Sequence, residues 1–275
     1  MPQEKIWFVT GASRGFGHLW TEAALKRGDK VVATARDPKA LDGLVAEYGD
    51  AVLPLALDVT DREAVFGAVN KGHAHFGRLD VILSNAGYGY IGAIEEADPA
   101  EVLKNFETNV FGTISVIQAA LPLLRAQGRG HILTLSSIGG IMSAGMGGIY
   151  GATKFAVESL SETLSIEVAD FGVKVTVIEP GPFATDFSTS IKIAPPMPEY
   201  DDAREKILAK RKSVSIGDPA ATAEAVLKVV DVEEPPLRLL LGTLLPIIKN
   251  VYKERLSGWE KWEDVSNAAL GSPAG

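Results

Sequence analysis

Short runs rich in β-branched and other apolar residues alternate with longer stretches of helical periodicity along most of the chain. No other feature restricts the possible folds as much. Ile6–Thr10, Lys30–Thr34, Val52–Ala56, Val81–Ser84, His131–Ser136, Lys174–Ile178 and Arg238–Leu241 read as buried strands. Between them Phe16–Arg27, Pro38–Tyr48, Arg62–His75, Pro99–Arg125, Tyr150–Asp170 and Pro219–Val230 read as helices. Repeated strand–helix–strand units imply a parallel sheet covered by helices on both faces. Right-handed crossovers make it doubly wound. The expectation is an α/β chain with one Rossmann-like domain over residues 1–275 and a seven-stranded parallel sheet. The length of 275 residues suits this, since single α/β domains run to roughly 250 residues.

Two regions break the alternation. Residues 181–215 form a long connection carrying Pro182, Pro195, Pro196 and Pro198, then a charged run from Asp201 to Lys212. Long connections in compact domains are commonly functional, so residues 183–213 are expected to form a lid over a substrate. Residues 243–275 read as a C-terminal extension with helical spacing.

Composition removes several classes of function. A net charge of -8 argues against nucleic acid and anionic membranes as partners. The absence of cysteine rules out disulfides, thiolate nucleophiles and cysteine-bound metals. His18, His73, His75 and His131 are scattered without ligand spacing, so no metal site is expected. The greasiest stretch, Leu239–Ile248, is interrupted by Gly242 and Pro246, well short of the ~20 residues that cross a bilayer. The N-terminus lacks the basic and apolar regions of a secretory signal, and a cytoplasmic location is expected.

The segment Thr10-Gly11-Ala12-Ser13-Arg14-Gly15-Phe16-Gly17 leaves the first strand and opens the first helix. Glycines there let the backbone turn sharply and bring a pyrophosphate to the positive helix end. The spacing is not G-x-G-x-x-G, and strand-to-helix turns also carry glycine for structural reasons. The second strand ends Ala33-Thr34-Ala35-Arg36, without the acid that would hold an unphosphorylated ribose. Arg36, helped by Arg14, suits a 2′-phosphate and so NADP(H). Asp37 is the competing candidate, as a carboxylate able to reach ribose hydroxyls.

Tyr150 and Lys154 begin the fifth long helix one turn apart, on one face, while Ser136 and Ser137 end the preceding strand. Both elements converge beyond the carboxyl ends of the strands, where ligands of such folds bind. A free tyrosine ionises at pH ~10, so exchanging protons at neutrality requires ~4 kcal/mol of help. A lysine ammonium ~4 Å away at an effective dielectric of ~20 supplies that much.

Taken together, Thr10–Gly17, Leu57-Asp58-Val59, Ser84-Asn85-Ala86-Gly87, Asn109, Ser137, Tyr150 with Lys154, and Pro180–Thr185 resemble the short-chain dehydrogenase/reductase family over about residues 4–242. The resemblance implies an NADP-dependent oxidoreductase acting on a CH–OH group, a carbonyl reductase or alcohol dehydrogenase, and a homodimer or homotetramer. Tyr150 would then be the general acid/base, Lys154 its activator and ribose ligand, Ser137 the carbonyl-orienting group, and Asn109 part of a water-linked relay. Ser137 is preferred over Ser136 because it lies thirteen residues before the tyrosine. Gly11, Ser13, Arg14, Gly15, Phe16 and Gly17 would hold the cofactor with Arg36, and Asp58 and Val59 would flank its adenine. Asn85, Ala86 and Gly87 would line the cleft, and Pro180, Gly181, Phe183 and Thr185 would meet the nicotinamide amide. Ser84 stands where the family usually has asparagine.

Tyr88, Tyr90, Ile138, Met142, Met146 and Phe187 are candidate substrate contacts, and their apolar character suggests a hydrophobic ketone or aldehyde and its alcohol. The alternatives are an NADPH-binding regulatory protein without catalysis and a ketoacyl-type reductase.

Overall fold

The computed structural model describes residues 4–211 and 214–271, so part of the expected lid segment lies outside the described residues. In chain order the strands are β1 (Ile6–Thr10), β2 (Lys30–Ala35), β3 (Val52–Ala56), β4 (Val81–Ser84), β5 (Tyr90–Ile91), β6 (Gly130–Leu135), β7 (Val173–Pro180), β8 (Lys192–Ile193) and β9 (Arg238–Leu241). The helices are α1 (Gly15–Lys26), α2 (Asp42–Tyr48), α3 (Arg62–Phe76), α4 (Pro99–Phe106), α5 (Gly112–Gln127), α6 (Gly148–Glu167), α7 (Phe187–Ser190), α8 (Asp201–Arg211), α9 (Thr222–Asp231), α10 (Leu245–Glu260) and α11 (Glu263–Ala268).

Seven strands form one sheet in the order β3-β2-β1-β4-β6-β7-β9, every pair parallel. The expected fold is therefore present. The strand order reverses between β1 and β4, and a crevice opens there at the carboxyl ends of the strands. On β1, Ile6 and Phe8 face a core built with Val65 and Val69 of α3 and Val116, Ala120 and Leu124 of α5. Trp7 and Val9 face the opposite core, with Trp20 and Ala24 of α1 and Val226 and Val230 of α9. Burial on both faces is why this strand reads as a continuous apolar run, each large side chain contributing roughly 1.5–3 kcal/mol.

α4 and α5 run on without a break through a π-helical segment, Glu107–Phe111. The combined helix Pro99–Gln127 is long and apolar enough to cross a membrane by length and composition, yet more than half of its apolar window is buried inside the protein. Such π-bulges are rare and frequently sit at functional sites. α6 begins at Gly148, two residues before the expected start at Tyr150, so both site residues lie within its first two turns.

The long connection after β7 is not the structureless loop its prolines suggest. It contains α7, β8 and α8, and β8 pairs in parallel with β5 through Tyr90↔Lys192 and Ile91↔Ile193. The Glu96 carboxylate accepts from Ala93 N at 2.7 Å and Met197 N at 2.7 Å and pairs with Arg204 of α8. Backbone donors Met197 and Ala93, ahead of Arg204, hold its pKa below the usual carboxylate range. Tyr200 Oη donates to Glu95 at 2.6 Å, and Lys192 pairs with Glu101 at 2.6 Å.

The chain divides into two compact units, with the boundary between Leu241 and Gly242. The second contains α10 and α11. No residue of α10 is buried, and Leu256, Trp259 and Trp262 are exposed.

Candidate active site

The loop after β1 is shaped by close backbone approach. Gly11 and Gly15 adopt φ +69° and +56°, a region that favours glycine. A side chain on Gly17 would collide with the Gly11 carbonyl and the Asn85 amide. Asn85 Nδ2 donates to Thr10 O at 2.9 Å and Gly11 O at 3.1 Å, while Thr10 Oγ1 accepts from Asn85 N at 2.9 Å and Ala86 N at 3.1 Å. The ends of β1 and β4 are thereby locked together on either side of the crevice.

This loop suits a pyrophosphate. The N-cap Arg14 supplies no side-chain hydrogen bond to α1, and the first turn carries no acid. The N–H groups at this positive helix end are left for an anion. Arg14 and Arg36 are exposed, and neither guanidinium has a hydrogen bond or ion pair among the described residues. Asp37, by contrast, caps the short helical turn Pro38–Leu41 by accepting from Lys39 N at 3.0 Å. Asp58 is occupied similarly, accepting from Thr60 N and Oγ1 at 3.0 and 2.8 Å, and Val59 is buried against Gly112. Phe16 packs on Trp20 and edge-on to Phe183, with ring centroids 4.9 and 5.6 Å apart. Ser13 lies in the loop between the two positive-φ glycines. Gly181 N bonds Leu241 O, Ala184 N bonds Gly217 O, and Thr185 lies beside Gly15.

Tyr150, Lys154, Ser137, Asn109 and Gly87 come together at the carboxyl ends of the central strands. Lys154 Nζ donates to Leu135 O at 2.7 Å and lies 5.7 Å from the centroid of the Tyr150 ring. A Cβ on Gly87 would stand 2.9 Å from Asn109 Oδ1 and 3.7 Å from Lys154 Nζ, so glycine leaves room for both. Asn109 sits in the π-helical segment. Its Nδ2 donates to Tyr88 O and Thr153 Oγ1, both at 3.0 Å, and its Oδ1 accepts from Tyr88 N at 3.0 Å. Burial pushes the Tyr150 phenol up to about 12, against which the hydrogen-bonded Ser137 hydroxyl pulls it down. Burial pulls the Lys154 ammonium down to about 8, and the charge of Glu158 opposes that.

Phe187 closes over this group, its ring centroid 5.5 Å from that of Tyr150. Ile138 and Met142 are half-buried in the turn after Ser137, and Met146 is held at φ +62° with its carbonyl accepting from Gly92 N. The Tyr88 ring lies under Lys192 Nζ at 5.5 Å. Tyr90 departs from the expected lining: it is buried, and its hydroxyl accepts from Asp98 N at 3.0 Å at the start of α4.

Sequence reasoning did not single out Thr153, Asn105, Glu158, Glu179 or Arg238. Thr153 Oγ1 donates to Tyr150 O at 2.7 Å while receiving Asn109, and buried Asn105 donates to Tyr88 O at 2.9 Å. The i,i+4 spacing of Asn105 and Asn109 was the available signal.

A parallel sheet with a glycine loop at its switch point and a Tyr–Lys pair beside it, the lysine buried, is the architecture of a nucleotide-dependent oxidoreductase. The short chain dehydrogenase profile matches residues 5–195. The chain is 43% identical over 271 residues to oxidoreductase BOA17 of Botryotinia fuckeliana (strain B05.10), covering 96% of this chain and 99% of that one. Among solved structures it is similar to a short-chain dehydrogenase from Streptomyces avermitilis, with TM-score 0.90, 39% identity and coverage of 97% and 98%. It is also similar to ElxO with NADP bound, with TM-score 0.74, 27% identity and coverage of 87% and 97%. The protein belongs to the short-chain dehydrogenase/reductase family, as its motifs implied, and is an oxidoreductase.

Proposed function

We propose that this protein is an NADP(H)-dependent carbonyl reductase acting on apolar ketones or aldehydes. The observation that carries the chemistry is the convergence of the half-buried Tyr150 phenol and Ser137 hydroxyl on the buried Lys154 ammonium, under the ring of Phe187. The preference for NADP(H) is supported by the guanidinium groups of Arg14, at the start of α1, and Arg36, just after β2, which have no partner among the described residues, while Asp37 is engaged in capping. It is supported further by the NADP-bound relative.

The cofactor, when bound, supplies the hydride and, once oxidised, a positive charge beside the site. This chain's residues do the rest. Ser137 donates a hydrogen bond to the carbonyl oxygen of the substrate, holding charge as it develops there. Tyr150 Oη gives its proton to that oxygen, and in the reverse direction takes it back. Lys154 stabilises the phenolate and holds the nicotinamide ribose. Asn109, pinned between Tyr88 and Thr153, keeps the start of α6 in register with the end of β4. Phe187, Ile138 and Met142 exclude water and favour apolar groups around the carbonyl, and the segment from Phe183 to α8 forms the lid. Exposed Leu103 and Phe111, on α4 and the π-helical segment, fit assembly with a second copy.

The test is a screen of the purified protein against a panel of aryl, terpenoid, steroid and retinoid-like ketones and aldehydes with NADPH and with NADH. Turnover with NADPH on apolar carbonyls is expected, abolished in Tyr150→Phe while NADPH still binds. NADPH binding without turnover across the panel would instead indicate a cofactor-binding protein without catalysis.

A further inference from the structure

Beneath the reacting groups lies a second cluster of ionisable side chains. Glu158 follows Lys154 by one turn of α6, Glu179 stands near the end of β7, and both are buried. Arg238 of β9 faces them, its Nε 3.2 Å from Glu158 Oε2 and 3.5 Å from Glu179 Oε1, while its Nη2 donates to Glu162 at 2.8 Å. The charged groups facing Glu158 are thus Lys154 and Glu162 of its own helix, Glu179 of β7 and Arg238 of β9.

Both carboxyls pack on the same Arg238 Nε, and the buried Oε1 atom of each makes no hydrogen bond within the protein, Glu179 Oε1 having only the 3.5 Å ion pair. Two ionised carboxylates packed on one guanidinium away from water repel each other strongly. A single proton between them satisfies both orphan oxygens and removes the repulsion. The anionic charge belongs on Glu158, which has the shorter approach to Arg238 and has Lys154 at i,i+4.

We propose that Glu158 and Glu179 share one proton and act as a positioning pair, in which anionic Glu158 keeps Lys154 protonated beneath Tyr150. This rests on the reading of Lys154 as the cation that supports the tyrosine and holds the cofactor ribose. The electrostatics agree. Burial raises both carboxyls, opposed at Glu158 by Arg238, and the charge of Glu158 pushes Glu179 further, up to about 8, so Glu179 is the neutral partner at pH 7. Burial disfavours the Lys154 ammonium, and the charge of Glu158 counters this.

Two measurements test the pair. Infrared difference spectra at neutral pH, parent minus Glu179→Gln, should show the C=O stretch of a protonated carboxylic acid, and its absence overturns the shared proton. The pH dependence of NADPH affinity, followed by cofactor fluorescence, should lose its alkaline limb about one pH unit earlier in Glu158→Gln than in the parent. Glu179→Gln should leave the limb in place, and Glu158→Asp should restore part of the shift. A uniform loss of affinity with an unmoved limb would make Glu158 merely structural and sink the proposal. So would a shift produced by Glu179→Gln in place of Glu158→Gln. Should Glu158→Gln fail to fold, the infrared spectra of Glu179→Gln and the limb position in Glu158→Asp decide. Neither measurement needs a carbonyl substrate, so failure of the ketone screen and failure of the proton-sharing pair are distinguishable.

Discussion

Replacing Lys154 by Met removes one charge from the site while keeping most of the side-chain volume. Burial places the Tyr150 phenol at about 12, so bringing it to pH ~8 needs about four units, or roughly 5 kcal/mol. With Nζ 5.7 Å from the ring centroid and an effective dielectric of ~20, the ammonium supplies about 3 kcal/mol, or ~2 pH units. This is less than a ~4 Å contact would give, and the difference falls to the positive charge of the oxidised cofactor. In alcohol oxidation, where Tyr150 must accept a proton, Lys154→Met should therefore lower kcat roughly 100-fold at a fixed pH below the tyrosine pKa. Activity should recover about tenfold per unit as pH rises. Because burial brings Lys154 itself down to about 8, its charge is present below that pH and lost above it. The parent and variant curves should accordingly converge on the alkaline side. The assay is kcat against pH with NADP⁺ and the alcohol of the best ketone found, with NADP⁺ affinity measured separately. A kcat within a few-fold of the parent throughout, or a constant ratio between the curves, would refute the electrostatic role.

Arg36→Asp should shift the NADPH/NADH preference by about tenfold or more in kcat/KM, since a forked phosphate contact is exchanged for like-charge repulsion; an unchanged ratio would remove Arg36 from the cofactor site. His131 is buried with its Nε2 2.9 Å from Thr176 Oγ1, and burial holds its pKa at about 3. Protons therefore bind the unfolded chain more tightly, and stability present above pH ~6.5 is lost as pH falls, by up to ~1.4 kcal/mol per unit. Urea unfolding at about pH 7.5 and about pH 5 should show a smaller difference in His131→Gln than in the parent, and equal differences would count against this. Glu96→Gln should raise hydrogen exchange through β8 and α8 with little change in the main sheet, because the carboxylate that holds Met197 N and Arg204 is gone; unchanged exchange would show that other contacts hold the segment.

The amino-acid sequence by itself determined what depends on neighbours in the chain. The apolar runs that become β1 and β2 are buried whichever helices cover them, so their pattern survives any detail of packing. The glycine loop and the one-turn spacing of Tyr150 and Lys154 are local geometry. The order of motifs along a doubly wound sheet then places them at one crevice. Only the tertiary structure decided the rest. β5 and β8 are two-residue strands about a hundred positions apart, too short to show a period. Tyr90 has the composition of a lining residue, and only the path of the chain turns it inward to Asp98 N. The π-helical segment that sets Asn109 against Thr153 leaves no mark in the helical pattern. The cluster of Glu158, Glu179 and Arg238 joins a helix and two strands that meet only in the folded protein. Burial, and with it the pKa of every group in the site, follows from contacts between distant segments, which no local pattern encodes.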